Sequence, residues 1–148
     1  MRVAIAEDNV LMRDGIARLL GDAGLDVVAR CGTAEELLLH VRSFPPDVVI
    51  VDIRLPPTHT DEGMQAALQI RERFPSVGVL VLSQYLEVGL AAQLLGENAE
   101  GAGYLLKDRV GDVAEFASAV RRVAAGGSAI DPQIISTLLN RSRRHDPL

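Results

Sequence analysis

The chain has 148 residues and a mass of 15.9 kDa, about one domain, which buries roughly two thirds of its unfolded surface when it folds. Hydrophobic residues make up 48% and charged residues 24% of the chain, which excludes a disordered or collagen-like protein. The formal net charge of −5 argues against non-specific nucleic-acid binding by this chain alone.

The first part of the chain alternates between strand and helix signals. An apolar run at residues 3–6 predicts a first strand. A helix should follow, with an apolar face made by Leu11, Ile16, Leu19 and Leu20. Gly21 and Gly24 mark its end, and the run at residues 27–29 predicts a second strand.

The alternation continues to residue 125. A capping box at residues 33–36 opens a second helix, which ends at the proline pair 45–46. The later predicted strands are residues 48–51, 77–82 and 104–106, and the later predicted helices are 65–73, 87–95 and 112–125. Five such alternations predict a doubly wound α/β fold, with five parallel strands and helices on both faces of the sheet.

The pattern changes after Gly126 and Gly127. Asp131 and Pro132 form a helix start, followed by apolar residues at helical spacing, and residues 141–148 are polar and basic. We therefore predict one domain over residues 1–126 and a helical linker over residues 127–148.

The predicted strands end in side chains that carry chemistry. Glu7 and Asp8 follow the first strand, and the third, fourth and fifth strands end at Asp52, Ser83 and Lys107. Singly, each has a structural alternative, such as a helix cap, a turn residue or a solvated cation. Because the carboxyl ends of parallel strands share one edge of the sheet, we expect these groups to form one site. Grouped carboxylates need a cation, and Mg²⁺ suits oxygen ligands.

Several segments resemble the receiver domains of two-component response regulators. They are residues 7–9, 48–56, 80–83 and 103–107, in the family's order and spacing, and the likeness covers about residues 1–125. Three further features resemble the NarL/FixJ branch, whose members carry a LuxR-type helix-turn-helix. They are the loop at residues 56–63, residues 106–108 at the end of the fifth predicted strand, and the helix start at residues 131–132. The resemblance implies a flavodoxin-like (βα)5 fold with strand order 2-1-3-4-5.

The resemblance also implies a phosphorylation site. By position, Asp52 would accept a phosphoryl group from a histidine kinase and would be a ligand of Mg²⁺. The other implied ligands are the Asp8 carboxylate, Glu7 acting through water, and the backbone carbonyl of Arg54. A carboxylate nucleophile forms an acyl phosphate, and phosphoryl transfer needs positioning and neutralised charge.

The remaining implied roles concern the switch. Ser83 and Lys107 would contact the phosphoryl oxygens, and Ser83 and Tyr104 would change position together. The implied function is a phosphorylation-activated switch, not an enzyme, that forms a homodimer and controls transcription. DNA would be bound only through a C-terminal helix-turn-helix domain outside this chain.

The sequence departs from the family pattern in two places. The acidic pair is Glu7–Asp8, where two aspartates are common, and Asp108 replaces a proline that often follows a cis bond. A cis bond before a non-proline residue costs about 2.5–4 kcal/mol, so the geometry of the bond between Lys107 and Asp108 stays open. The ring of Tyr85 either shields the acyl phosphate from water or packs on the surface.

Two other function classes fit the residues less well. Hydrolases that form a phosphoaspartate have an Asp-x-Asp pattern that includes the nucleophile. In this chain, Arg54 stands where the second aspartate of that pattern would be. A flavin or nucleotide module needs a glycine-rich or hydroxyl-rich phosphate loop after the first strand. Residues 6–9 offer carboxylates there instead.

The sequence also bears on the location of the protein. The longest stretch without a formal charge is residues 74–86, which is too short to span a bilayer. The start of the chain has no secretory signal pattern, and Cys31 is the only cysteine. We therefore expect a cytoplasmic protein without a membrane segment.

Overall fold

The computed structural model describes residues 1–96 and 98–145 and is built around one parallel sheet. Its strands follow the order β2-β1-β3-β4-β5-β6. They are β1 (Arg2–Ala6), β2 (Asp26–Cys31), β3 (Val48–Asp52), β4 (Gly78–Ser83), β5 (Ala102–Leu106) and β6 (Ala129–Ile130). Strands β3 and β4 are buried along their whole length, as their Val, Ile and Leu content indicates.

Helices connect the strands, and several begin at a side chain that accepts a backbone hydrogen bond. They are α1 (Val10–Asp22), α2 (Ala34–Ser43), α3 (Glu62–Arg73), α4 (Val88–Leu95), α5 (Val113–Ala124) and α6 (Pro132–His145). Asn9 caps α1 by accepting from the N–H of Met12 at 3.1 Å. Thr33 caps α2 in the same way, as the capping box predicts.

The two faces of the sheet carry separate apolar clusters. The cluster shared with α2, α3, α4 and α6 includes Leu37, Met64, Ile70, Leu94 and Ile134. The cluster shared with α1 and α5 includes Ile16, Leu20, Phe116, Val120 and Val123. This layering holds the carboxyl ends of β1, β3, β4 and β5 at one rim.

The predicted doubly wound fold and its order 2-1-3-4-5 are confirmed, and a sixth strand extends the sheet. Strand β6 has two residues, which pair with Gly103 and Tyr104, and so short a run shows no period in sequence. The prediction that Leu11 faces the core is wrong, since the residue is 86% exposed. It precedes Ile16 by five positions, which places it about 140° away around the helix.

Helix α6 is attached to the end of β5 through a buried carboxylate. Asp131 is fully buried and accepts hydrogen bonds from the N–H groups of Leu106 at 3.1 Å and Gln133 at 3.0 Å. The guanidinium of Arg109 donates to both of its oxygens, at 2.9 and 3.2 Å. Ile134 is fully buried in the core next to this contact. The start of α6 is therefore packed against the sheet.

The domain boundary at residue 126 and the linker assignment over 127–148 stay predictions, and residues 146–148 lie outside the described residues. In the described parts of the chain, no helix combines the length and apolar character needed to cross a membrane.

Candidate functional site

The four strand ends and their loops surround an open cavity of about 310 Å³. Every side chain that the sequence places at this rim lines it: Glu7, Asp8, Asp52, Ser83 and Lys107. Strand β3 delivers Asp52 as its last residue, and α3 approaches closely because Gly63 has no side chain. A Cβ at Gly63 would overlap the backbone carbonyl of Asp52. The topology therefore assembles the predicted site.

Three carboxylates lie together at one side of the cavity. Glu7, Asp8 and Asp52 each offer an oxygen within 4.8 Å of the others. Burial, followed by the hydrogen bond and charge of Asp52, raises the pKa of Glu7 to about 8. The donors are all oxygens and their charges repel, so a hard divalent cation fits this group.

Lys107 provides the cation that contacts these carboxylates. Its Nζ donates to Asp52 Oδ2 at 3.0 Å and to Glu7 Oε1 at 3.3 Å. Burial alone lowers the pKa of Lys107, but the hydrogen bonds and charges of Asp52 and Glu7 outweigh burial and raise it above its usual value. The ammonium is therefore held charged beside the predicted phosphoacceptor.

The hydroxyl of Ser83 is bound within the loop that follows β4. It is buried and lies 2.6 Å from the carbonyl oxygen of Tyr85, to which it donates, and 3.3 Å from Glu87 Oε2. Glu87 also pairs with the guanidinium of Arg54, so the loops after β3 and β4 are joined above the site. The Arg54 N–H lies 3.3 Å from Asp52 Oδ1 and donates to it.

Tyr104 belongs to β5 and packs in the apolar cluster that the sheet shares with α2, α3, α4 and α6. Its side chain is fully buried, burial raises the pKa of its phenol, and its hydroxyl has no hydrogen-bond partner in the described part of the chain. Its carbonyl accepts from the N–H of Asp131 at 2.8 Å. Tyr85, by contrast, is 63% exposed.

The structure adds residues that the sequence analysis did not identify. His59 Nε2 lies 2.9 Å from Asp8 Oδ2 and lines the same cavity. Glu87 joins the loops. His59 belongs to no strand end or periodic pattern, and the helical pattern that begins at Glu87 does not indicate its contact with Arg54. In residues 1–96 and 98–145 the cis peptide bond is Pro56–Pro57, so the bond between Lys107 and Asp108 is trans.

Comparison with protein families identifies the family to which this fold belongs. The profile described as "Response regulator receiver domain" matches residues 3–120. The chain belongs to this family. The receiver is the regulatory domain of two-component response regulators, and the function predicted from the sequence agrees with this membership.

Named relatives support the same conclusion. The chain is 34% identical over 149 residues to the transcriptional regulatory protein LnrK of Bacillus subtilis, covering 100% of this chain and 64% of that protein. It is 34% identical over 155 residues to the DNA-binding transcriptional activator DevR/DosR of Mycobacterium tuberculosis, covering 100% and 67%. The crystal structure of a LuxR-family response regulator from Aurantimonas sp. SI85-9A1 gives a TM-score of 0.78 at 25% identity, over 95% and 96% of the two chains. This chain therefore spans just under two thirds of the length of LnrK.

Proposed function

We propose that this receiver accepts a phosphoryl group on Asp52 from a histidine kinase and responds by self-association that controls transcription. The observation that carries the proposal is the ammonium of Lys107, 3.0 Å from Asp52 Oδ2 beside a group of three carboxylates. An acceptor carboxylate flanked by a fixed cation is what phosphoryl transfer requires.

The carboxylate group is the proposed Mg²⁺ site. Glu7, Asp8 and Asp52 would hold the ion with the backbone carbonyl of Arg54, Glu7 acting through water. When bound, Mg²⁺ supplies positive charge to the phosphoryl oxygens at the acceptor. Without a cation, each unit-charge contact at 4 Å between a carboxylate and the incoming group costs on the order of 4 kcal/mol at an effective dielectric of 20.

The transfer itself needs one nucleophile. An oxygen of Asp52 attacks phosphorus, the new O–P bond forms, and the P–N bond to the kinase imidazole breaks with its electron pair returning to nitrogen. Lys107 then pairs with a phosphoryl oxygen.

The same event would move the switch residues. The Ser83 hydroxyl leaves the carbonyl of Tyr85 and donates to the phosphoryl group, and Tyr104 occupies the space that is vacated. The hydrogen bond from Ser83 to the carbonyl of Tyr85 holds the unphosphorylated arrangement, because a hydroxyl has one hydrogen to donate.

The transcriptional role is proposed from the relatives. LnrK is a transcriptional regulatory protein and DevR/DosR a DNA-binding activator. We propose that residues 1–126 are the receiver, that 127–148 link it to a helix-turn-helix domain outside this chain, and that DNA is bound only there. The lone, buried Cys31 suits the proposed cytoplasmic location, where thiols stay reduced.

Intact mass spectrometry with acetyl phosphate tests the acceptor. The wild-type chain should gain one phosphate with Mg²⁺ and none with EDTA. Asp52→Asn keeps the shape of the side chain, removes the nucleophile and should gain none. A phosphate on Asp52→Asn that maps to Asp8 or to a serine would contradict the assignment.

A further inference from the structure

We propose that His59 is a positioning residue for the metal ligand Asp8, which it holds by a hydrogen bond so that the carboxylate is preset for Mg²⁺. The inference rests on the proposed function, because it assigns a role toward the same ion.

The contact between the two side chains fixes the direction of the hydrogen bond. His59 Nε2 lies 2.9 Å from Asp8 Oδ2, and an ionised carboxylate only accepts, so Nε2 carries the hydrogen. The Asp8 side chain is 33% exposed, far more than Glu7 and Asp52, so the protein interior restrains it least. The imidazole supplies the missing restraint and leaves the second oxygen of Asp8 unbound by it.

Hydrogen bonds of the neighbouring residues fix the backbone conformation of His59, and with it the direction of the side chain. His59 has a φ of 56°, an unusual conformation for a residue other than glycine, and its N–H donates to the carbonyl of Leu55 at 3.0 Å. The carboxylate of Glu62 accepts from the N–H of Thr58 at 2.7 Å and from the N–H of Thr60 at 3.1 Å. Residues on both sides of His59 are therefore anchored to one acceptor, which maintains the left-handed conformation between them.

The expected effect follows from how metal ligands are oriented. Partners that hydrogen-bond a metal ligand from outside the coordination sphere change metal affinity by about 10–100-fold when they are removed. His59 acts on the ion through Asp8, since its nitrogen contacts that carboxylate and does not join the group of three oxygens within 4.8 Å.

Calorimetric titration of the 148-residue chain with MgCl₂ provides the test. His59→Ala should weaken Mg²⁺ binding by about 10–100-fold. His59→Gln can place an amide N–H near the position of Nε2 and should restore most of the affinity. His59→Asn favours the left-handed backbone but carries a shorter amide, so it should bind as weakly as His59→Ala. Thermal unfolding in EDTA should show one cooperative transition for each variant, which confirms that all three fold.

The outcomes separate this inference from the proposed function. If Asp8→Ala loses Mg²⁺ binding while His59→Ala binds like the wild type, the positioning role is wrong and the metal site stands. If Asp8→Ala binds Mg²⁺ like the wild type, the proposed site fails, and the role of His59 with it. A loss in His59→Ala restricted to Ni²⁺ would also overturn the inference, because His59 would then be a direct ligand for softer ions. Recovery in His59→Asn but not in His59→Gln would assign the effect to the backbone.

Discussion

Lys107 is the residue on which the electrostatics of the site depend. It is the only lysine beside 14 arginines, and its ammonium joins Asp52 to Glu7. A guanidinium is planar and larger, so it does not replace this compact charge between two buried oxygens. The single lysine of the sequence therefore lies where a compact positive charge contacts both Glu7 and Asp52.

Replacing Lys107 should separate metal binding from the response to phosphorylation. Lys107→Ala keeps the carboxylates and should still bind Mg²⁺ in a calorimetric titration. With beryllofluoride, its mass in light scattering should increase only weakly compared with the increase that we expect for the wild type. Lys107→Arg should respond weakly as well. A full response from Lys107→Ala would show that the ammonium has no role in the switch.

Gly63 allows α3 to approach the acceptor strand β3 closely, because it has no side chain. A methyl group at this position would overlap the carbonyl of Asp52, so Gly63→Ala should lower the free energy of unfolding by about 1–3 kcal/mol or more. Gly15→Ala is the matched control, because nothing lies within 4 Å of a Cβ at this helical position. It should raise stability by about 0.5–1 kcal/mol. Urea denaturation measures both, and equal effects would contradict the close packing.

Helix α6 is attached to the sheet through the buried carboxylate of Asp131. Asp131→Ala removes an acceptor from the N–H of Leu106, the N–H of Gln133 and the guanidinium of Arg109. Because a buried donor left without a partner costs roughly 1–3 kcal/mol, we expect a loss of that size in chemical denaturation. Leu139→Ala on the exposed side of α6 should change stability little. An Asp131→Ala chain as stable as the wild type would mean that α6 is not held by this carboxylate.

The carboxylate of Asp131 should also make the free energy of unfolding depend on pH. Burial acts to raise the pKa of Asp131, but the hydrogen bonds from Arg109, Leu106 and Gln133 outweigh it and hold the pKa below its usual 3.8. As pH falls, the unfolded chain takes up the proton first, so the contribution is complete above about pH 4–5 and is lost as pH drops through the folded pKa. The stability difference between wild type and Asp131→Asn should therefore shrink below pH 4. A difference that is constant from pH 7 to pH 3 would contradict this.

The elements that sequence reasoning predicts are those with a local signal. Strand and helix patterns locate β1 to β5 and α1 to α6, and the rule for parallel strand ends groups Asp52 with Lys107, 55 positions apart. Strand β6 is too short for a period. His59 and Glu87 act through contacts 51 and 33 positions away in sequence, from loops whose conformation comes from tertiary hydrogen bonds. No local pattern records such contacts.

At the scale of the whole molecule, the secondary structure restricts how two copies can associate. Strand β5 is paired with β6, and α4 packs against α6, so that side of the sheet is already covered. The face formed by α1 and α5, on the other side of the domain, is the alternative. We expect phosphorylated receivers to associate there.

Charged substitutions on the two sides test this expectation. Ser118 on α5 and Gln93 on α4 are both exposed. Ser118→Arg should abolish the mass increase with beryllofluoride in light scattering, and Gln93→Arg should preserve it. The reverse pattern would place the association on the α4 side.

Leu106, the last residue of β5, and Lys107, which follows it, connect α6 to the candidate site. The N–H of Leu106 is fixed to Asp131, and the next residue, Lys107, contacts Asp52. The Lys107 side chain is flexible and can follow a phosphoryl group without moving the backbone, but a main-chain movement at this point would disturb the contact between Leu106 and Asp131. We expect the docking of α6 to resist a main-chain movement at the end of β5, so residues 1–126 alone should respond at a lower phosphodonor concentration than the whole chain.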